Sequence, residues 1–124
     1  MPSETPPITV EFTHEFKRSL RHLARRYRQI RSDLSPVITA LEQGETPGDR
    51  VPGTGFLVFK VRVRNSDARR GKSGGYRVIY YVALPGRVVL VTIYSKSDQG
   101  DLRAAEIQDI INRNQPASEG DTGE

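Results

Sequence analysis

The sequence predicts an α+β domain: a mainly antiparallel sheet with two N-terminal helices packed on one face and a C-terminal helix. Three observations carry this reading. Apolar residues recur with helical period in the first third of the chain and again near its end. Between those regions lie strand-length segments that alternate with period two. The later strands follow one another with only turns and a polar loop between them, which suits antiparallel neighbours.

Taken in order, Ile8–Thr13 reads as a short strand, with Ile8, Val10 and Phe12 alternating against Thr9, Glu11 and Thr13. Thr13 is placed to cap a helix. In that helix Phe16, Leu20, Leu23, Tyr27 and Ile30 form one apolar stripe, with Lys17, Arg18, Arg21, Arg25 and Arg28 largely on the other side. A second helix is expected from Ser32 or Ser35 to Gln43. Leu34, Val37, Ile38 and Leu41 form its face, Pro36 sits in its first turn, and Gly44 ends it. From Gly55 to Arg64 the chain alternates as a strand, Leu57, Phe59, Val61 and Val63 against Val58, Lys60, Arg62 and Arg64. Asn65–Gly74 is a polar loop. Gly75–Leu84 and Arg87–Lys96 are strands joined at Pro85-Gly86. A last helix, about Asp101 to Asn114, carries Leu102, Ala105, Ile107 and Ile110.

With 124 residues the chain reads as a single domain over 8–114, between a flexible N-terminus (1–7) and a disordered acidic tail (115–124). There is no cysteine, so disulfides and thiolate metal sites are excluded and a reducing, cytoplasmic location is expected. No apolar run resembles a signal peptide or a membrane span. The formal net charge is +4, and it is unevenly spread. Lys60, Arg62, Arg64, Arg69, Arg70, Lys72 and Arg77 face a single acid, Asp67, within that stretch, and a second basic cluster runs from Lys17 to Arg31. Such density favours a polyanionic partner, because Lys and Arg displace counterions from phosphates. A solvated basic surface is the alternative.

Lys60, Arg62 and Arg64 project from one strand face at steps of about 6.6 Å, close to the spacing of successive phosphates. The opposite face is apolar and must meet the core, so the basic row is expected to meet solvent or a ligand. A merely solvated face would usually mix signs, and this row contains no acid. With Pro85 and Gly86 as the loop, Arg77 lies opposite Tyr94, and Lys96 lies two residues further on the same face. Arg, Tyr and Lys converging beside a basic strand suit a phosphodiester site. A core aromatic with a satisfied hydroxyl is the other reading of Tyr94. Gly71-Lys72-Ser73 is no phosphate-binding loop, since Ser66 stands where its leading glycine is required and a strand follows. His14 and His22 lie on the first helix without an acidic ligand set, which argues against a metal site and against a two-histidine ribonuclease.

Three segments together resemble the RelE/ParE toxin superfamily. They are Val58-Phe59-Lys60-Val61-Arg62-Val63-Arg64, Gly71-Lys72-Ser73-Gly74-Gly75-Tyr76-Arg77-Val78-Ile79-Tyr80-Tyr81, and Thr92-Ile93-Tyr94-Ser95-Lys96 with Asp101-Leu102. The similarity spans about Ile8 to Arg113 and is greatest to the RelE and HigB-like branch, whose fold has the element order read above. It implies the toxin of a type II toxin–antitoxin system: a ribosome-dependent mRNA endoribonuclease (an mRNA interferase, a hydrolase by class) acting in the ribosomal A site and paired with a cognate antitoxin. Such enzymes use no metal or other cofactor, and the 2′-hydroxyl attacks the adjacent phosphate.

By position, Arg62, Arg64, Arg77, Tyr94 and Lys96 then become the catalytic candidates, and Lys60, Arg69, Arg70 and Lys72 the RNA-binding ones. Tyr94 would stack on a base or transfer a proton. Arg103 stands near the place where some RelE toxins carry a catalytic tyrosine, so proton transfer falls to a lysine or to Tyr94, since an arginine rarely gives up its proton. Two further uses of the fold remain: a ParE-like inhibitor of DNA gyrase, and a non-catalytic RNA-binding relative. Arg77, Lys96 and the basic row favour the nuclease.

Overall fold

The computed structural model describes residues 8–67, 75–84 and 86–114. The expected termini (1–7 and 115–124), the loop cations Arg69, Arg70 and Lys72, and Pro85 lie outside the described residues. The elements are β1 (Thr9–Phe12), α1 (His14–Ala24), α2 (Ile30–Glu42), β2 (Asp49–Val51), β3 (Val58–Val63), β4 (Tyr76–Leu84), β5 (Arg87–Ser95) and α3 (Ala104–Arg113). The sheet order is β1-β5-β4-β3-β2. β1 runs parallel to β5 and every other neighbour is antiparallel. This is the α+β architecture the sequence predicts.

Two apolar clusters, one on each face of the sheet, divide the core. Phe16, Leu23, Ile30, Leu34 and Leu41 from α1 and α2 meet Val63, Tyr76, Val78, Tyr80, Val88, Leu90 and Ile93. On the opposite face Ile107 and Ile111 of α3 cover Val58, Ile79, Tyr81, Val89, Val91 and Tyr94. Each of these strand residues removes enough apolar surface from water to contribute about 1.5–3 kcal/mol before entropy is counted. At the first junction Thr13 caps α1 through its side-chain oxygen, which accepts from Phe16 N–H at 2.9 Å, and its hydroxyl donates to the Val91 carbonyl at 2.8 Å. Glu11 and Arg87 form a two-pronged ion pair at 2.9 and 3.0 Å across the parallel β1–β5 edge.

Four features depart from the expectations. First, α1 stops at Ala24 and Ile30 opens α2, although the apolar stripe continues through both. Between them the chain makes short turns, with Arg26 N–H donating to the Leu23 carbonyl at 3.0 Å. Tyr27 sits in this connection and meets Tyr76 edge-on, ring centroids 5.7 Å apart. The Asp67 carboxylate, from the β3–β4 connection, accepts from Gln29 N–H at 2.8 Å and holds the start of α2 there. Pro36 therefore lies inside α2 and not in its first turn, so the Ser32 carbonyl lacks its usual helical donor.

Second, β2 was not anticipated. It has three residues, too few to establish a period, and it follows a turn at Gly48 with φ +96°. A Cβ at Gly48 would stand 2.3 Å from the Lys60 carbonyl oxygen, so only glycine allows this edge to close on β3. Third, the basic face of β3 is not wholly open. Val58 on that face is completely buried beneath α3, whereas Leu57, expected in the core, is exposed just before the strand. The strand also ends at Val63, which leaves Arg64 beyond it. Fourth, α3 begins at Ala104 and not at Asp101, so Asp101 belongs to the connection before it. Arg103 N–H donates to the Glu106 carboxylate at 2.8 Å to start that helix.

The β4–β5 register explains how the cross-strand row arises. Leu84 pairs with Arg87, but Val82 pairs with Val88 and Tyr80 with Leu90. Ala83 is thus an extra residue on β4. Val91 is an extra residue on β5, since Ile79 pairs with Thr92. The two bulges cancel, and Arg77 faces Tyr94 as the unbroken two-residue turn would have placed it.

Candidate active site

The site occupies the end of the α3-covered face that α3 leaves open. Arg62 pairs with Arg77, and Arg77 with Tyr94, so the three stand in one rank across β3, β4 and β5. Neighbouring strands are about 4.8 Å apart, which brings two like charges face to face. Such a pair works against folding, and its presence at the centre of a sheet points to a site for negative charge. Arg77 is buried to 6% exposure, and one of its terminal nitrogens donates to the Tyr76 carbonyl at 3.3 Å. Arg62 is exposed.

A hollow of about 390 Å³ opens over this rank, lined by Gly48, Asp49, Lys60, Arg62, Arg77 and Asp101. Lys60 lies one step along β3 from Arg62 and pairs across the edge with Asp49 of β2. Lys96 follows the last residue of β5, where its N–H donates to the Gly75 carbonyl at 2.8 Å. Gly75 itself has φ +65°, and a Cβ there would stand 2.4 Å from the Val63 carbonyl oxygen. The glycine lets the chain enter β4 tightly against the end of β3, which sets the height of Arg77 beside Arg62.

Asp101 completes the arrangement. Its Oδ1 lies 3.4 Å from Lys60 Nζ and 3.8 Å from Lys96 Nζ, and it accepts from the Tyr94 hydroxyl at 3.5 Å. Slight burial acts to raise the Asp101 carboxyl, but Lys60 and Lys96, with a smaller effect of Arg77, outweigh it and hold the group below its ordinary value. Tyr94 is shifted the other way. Burial pushes its hydroxyl above the usual phenol value; the Asp101 charge adds to this, and the Leu102 backbone and Arg77 oppose it. Tyr94 therefore keeps its proton at neutral pH. Its ring is packed in the α3 cluster at 6% exposure, so its hydroxyl, and not its face, is the part that can meet a ligand.

The structure thus brings together Lys60, Arg62, Arg77, Tyr94 and Lys96 of the sequence-predicted residues. Arg64 is not among them: it lies past the end of β3 and, with Asp33, Pro36 and Arg62, lines another hollow beside α2. Asp49 escaped the sequence reading, and Asp101 entered it only within the family resemblance, without a place in the site. Asp49 was missed because β2 was, and Asp101 because it was assigned to a helix; the opposition of Asp49 to Lys60 shows that the basic row does have acidic company. A second open hollow, about 420 Å³, lies at the α1 edge of the sheet between Arg18, His22, Tyr94 and Asp98. Its charges are mixed and Asp98 is already held by Arg26 at 2.7 Å. Among the described residues, no three His, Asp or Glu side chains are grouped to hold a metal, and no helix is long and apolar enough to cross a membrane.

A comparison with protein families agrees with this geometry. Residues 13–116 match the family described as the RelE toxin of the RelE/RelB toxin–antitoxin system, a span that takes in every described element from α1 to α3. The chain belongs to the RelE toxin family, within the RelE/ParE superfamily, and is the toxin member of a toxin–antitoxin pair.

Proposed function

We propose that this toxin is a ribosome-dependent endoribonuclease that cuts messenger RNA in the ribosomal A site, acts in the cytoplasm, and is restrained by a cognate antitoxin. The observation that carries the reading is the rank Arg62–Arg77–Tyr94 with Lys60 and Lys96 beside it: Lys60, Arg62 and Arg77 line the hollow of about 390 Å³, and Lys96 and the neutral Tyr94 hydroxyl reach the Asp101 carboxylate on its wall. In the reaction the substrate's own 2′-hydroxyl gives up its proton to water as its oxygen attacks the adjacent phosphorus, while the bond to the 5′-oxygen breaks and that oxygen takes up a proton. The products are a 2′,3′-cyclic phosphate and a 5′-hydroxyl end. Charge grows on the phosphoryl oxygens as the attack proceeds, and fixed cations aimed at those oxygens stabilise the transition state more than the ground state.

Arg77 is the most immobile of these cations, being buried within the central strand, and we assign it to the phosphoryl oxygens with Arg62. Lys60 and Lys96 bind the same phosphate from the other side. Tyr94 retains its proton and so serves as a donor, to the leaving 5′-oxygen or to a phosphoryl oxygen. Arg64, with Arg69, Arg70 and Lys72, extends the grip on the RNA backbone beyond the reacting phosphate. The antitoxin is expected to lay an acidic or amphipathic segment over the helices or this basic face.

Induced expression in a bacterial host, with mapping of messenger RNA 5′ ends, tests the reading. Wild type should produce new ends inside translated codons, and Arg62→Ala/Arg77→Ala should produce none while remaining folded. Growth arrest without cuts would instead support a gyrase inhibitor. Absence of arrest would support a non-catalytic relative.

A further inference from the structure

Among the described residues, Asp101 is the one anion that touches three of the candidate functional groups at once, and a single oxygen makes all three approaches. Those groups are two ammoniums and a hydroxyl donor, with Arg77 near enough to act on the same carboxylate. They converge from β3, from the end of β5 and from Tyr94 on one oxygen-sized point. That is the donor set expected for a phosphate oxygen. The distances of 3.4 to 3.8 Å are long for charged pairs, so the carboxylate is held loosely. Asp101 is also half exposed, at 51%, in the connection between β5 and α3, where a side-chain rotation carries it into water without disturbing either element.

We propose that Lys60, Lys96 and the Tyr94 hydroxyl form a single phosphate-oxygen subsite, and that Asp101 occupies it as an internal stand-in which the RNA backbone displaces. This deepens the nuclease reading and rests on it. In the free protein the carboxylate keeps the two lysines from repelling one another and holds the subsite assembled. On binding, the phosphodiester oxygen takes its place and Asp101 turns outward. Asp101 is not cast as the general base. A carboxylate held below its ordinary value by two lysines takes up a proton poorly at neutral pH, which leaves it better suited to yield its place than to do chemistry.

The test is the affinity for a short single-stranded RNA with every 2′-hydroxyl methylated, so that binding is measured without cleavage. Wild type, Asp101→Asn and Asp98→Asn are compared by fluorescence anisotropy over a range of salt. Both variants remove one negative charge from the same connecting segment, but Asp98 faces Arg26 and not the subsite. Removing the competitor should tighten binding about tenfold in Asp101→Asn, the worth of one charge-assisted contact, and hardly at all in Asp98→Asn. The salt slope should steepen by about one ion in Asp101→Asn, since the phosphate then releases a counterion where it had displaced a carboxylate. Equal or weaker binding by Asp101→Asn, with wild type still binding, would overturn the subsite while leaving the nuclease reading intact. Equal gains in both variants would show a general charge effect and overturn it too. Failure of wild type and Asp101→Asn alike to bind RNA would overturn the subsite, whereas the nuclease reading, in which the ribosome presents the substrate, stands or falls on the mapping of messenger RNA 5′ ends. Asp101→Ala serves as the second variant and should behave as Asp101→Asn does.

Discussion

Two tyrosines of β4 show how one residue type serves different ends. The Tyr80 hydroxyl donates to the Pro47 carbonyl at 2.6 Å, while its ring stacks on Phe59 at 5.4 Å. The Tyr76 hydroxyl is fully buried and has no hydrogen-bond partner among the described residues. Removing a paired hydroxyl loses its bond and strands the acceptor, whereas removing an unpaired one relieves a desolvation cost. Tyr80→Phe should therefore lower stability by about 1 kcal/mol, and Tyr76→Phe should leave it unchanged or raise it by a similar amount, as read by urea denaturation. Burial, assisted by Asp33 and Asp67, also holds the Tyr76 phenol above its ordinary value of 10.0. The folded state thus keeps a proton that the unfolded chain releases more easily. Its contribution is complete below about pH 10 and is lost as pH rises beyond it, so Tyr76→Phe should be less sensitive to alkali than wild type.

At the level of the elements, α3 decides what part of its sheet face stays open. Ile107 and Ile111 are each 1% exposed and close the second cluster, and the open remainder of that face is the candidate site. Ile107→Ala should cost about 2–5 kcal/mol in chemical denaturation, and a loss below about 1 kcal/mol would mean α3 is not packed as described. The strands of this layer could be read from sequence because β4 and β5 are long, and because the alternation of β3 separates Lys60 and Arg62 from Phe59 and Val61. The Arg77–Tyr94 pairing could be read too, although it holds through bulges at Ala83 and Val91 that no local pattern announces. What escaped has physical causes. β2 is shorter than a period can reveal, and the break after Ala24 keeps the apolar stripe in phase, so nothing in the spacing of Tyr27 and Ile30 marks it. Val58 alternates with the basic residues but lies where α3 crosses, a long-range fact. Asp101 enters the site through the path of a connection, which spacing along the chain does not encode.

For the molecule as a whole, the charge of +4 is distributed over two layers. Lys17, Arg18 and Arg21 are exposed on α1, with Arg25 just past its end, and α1 packs on the sheet face opposite the α3 layer, whereas Lys60, Arg62, Arg77 and Lys96 gather on the α3 side. Net charge is therefore a poor guide to the site; three cations lining one hollow, with Lys96 and a neutral phenol meeting the Asp101 carboxylate on its wall, are a better one. On the proposed reading this hollow cleaves RNA, and the ribosome presents the substrate to it. The direct measurement is single-turnover cleavage of one messenger RNA, free and on programmed ribosomes, by wild type and by Arg77→Ala of matched thermal stability. A cut within the A-site codon bearing a 5′-hydroxyl is expected on ribosomes only, slowed about 10²–10³-fold in the variant by loss of a fixed oxyanion-stabilising cation. Equal cleavage of free and ribosome-bound messenger, or an undiminished rate in Arg77→Ala, would contradict that reading.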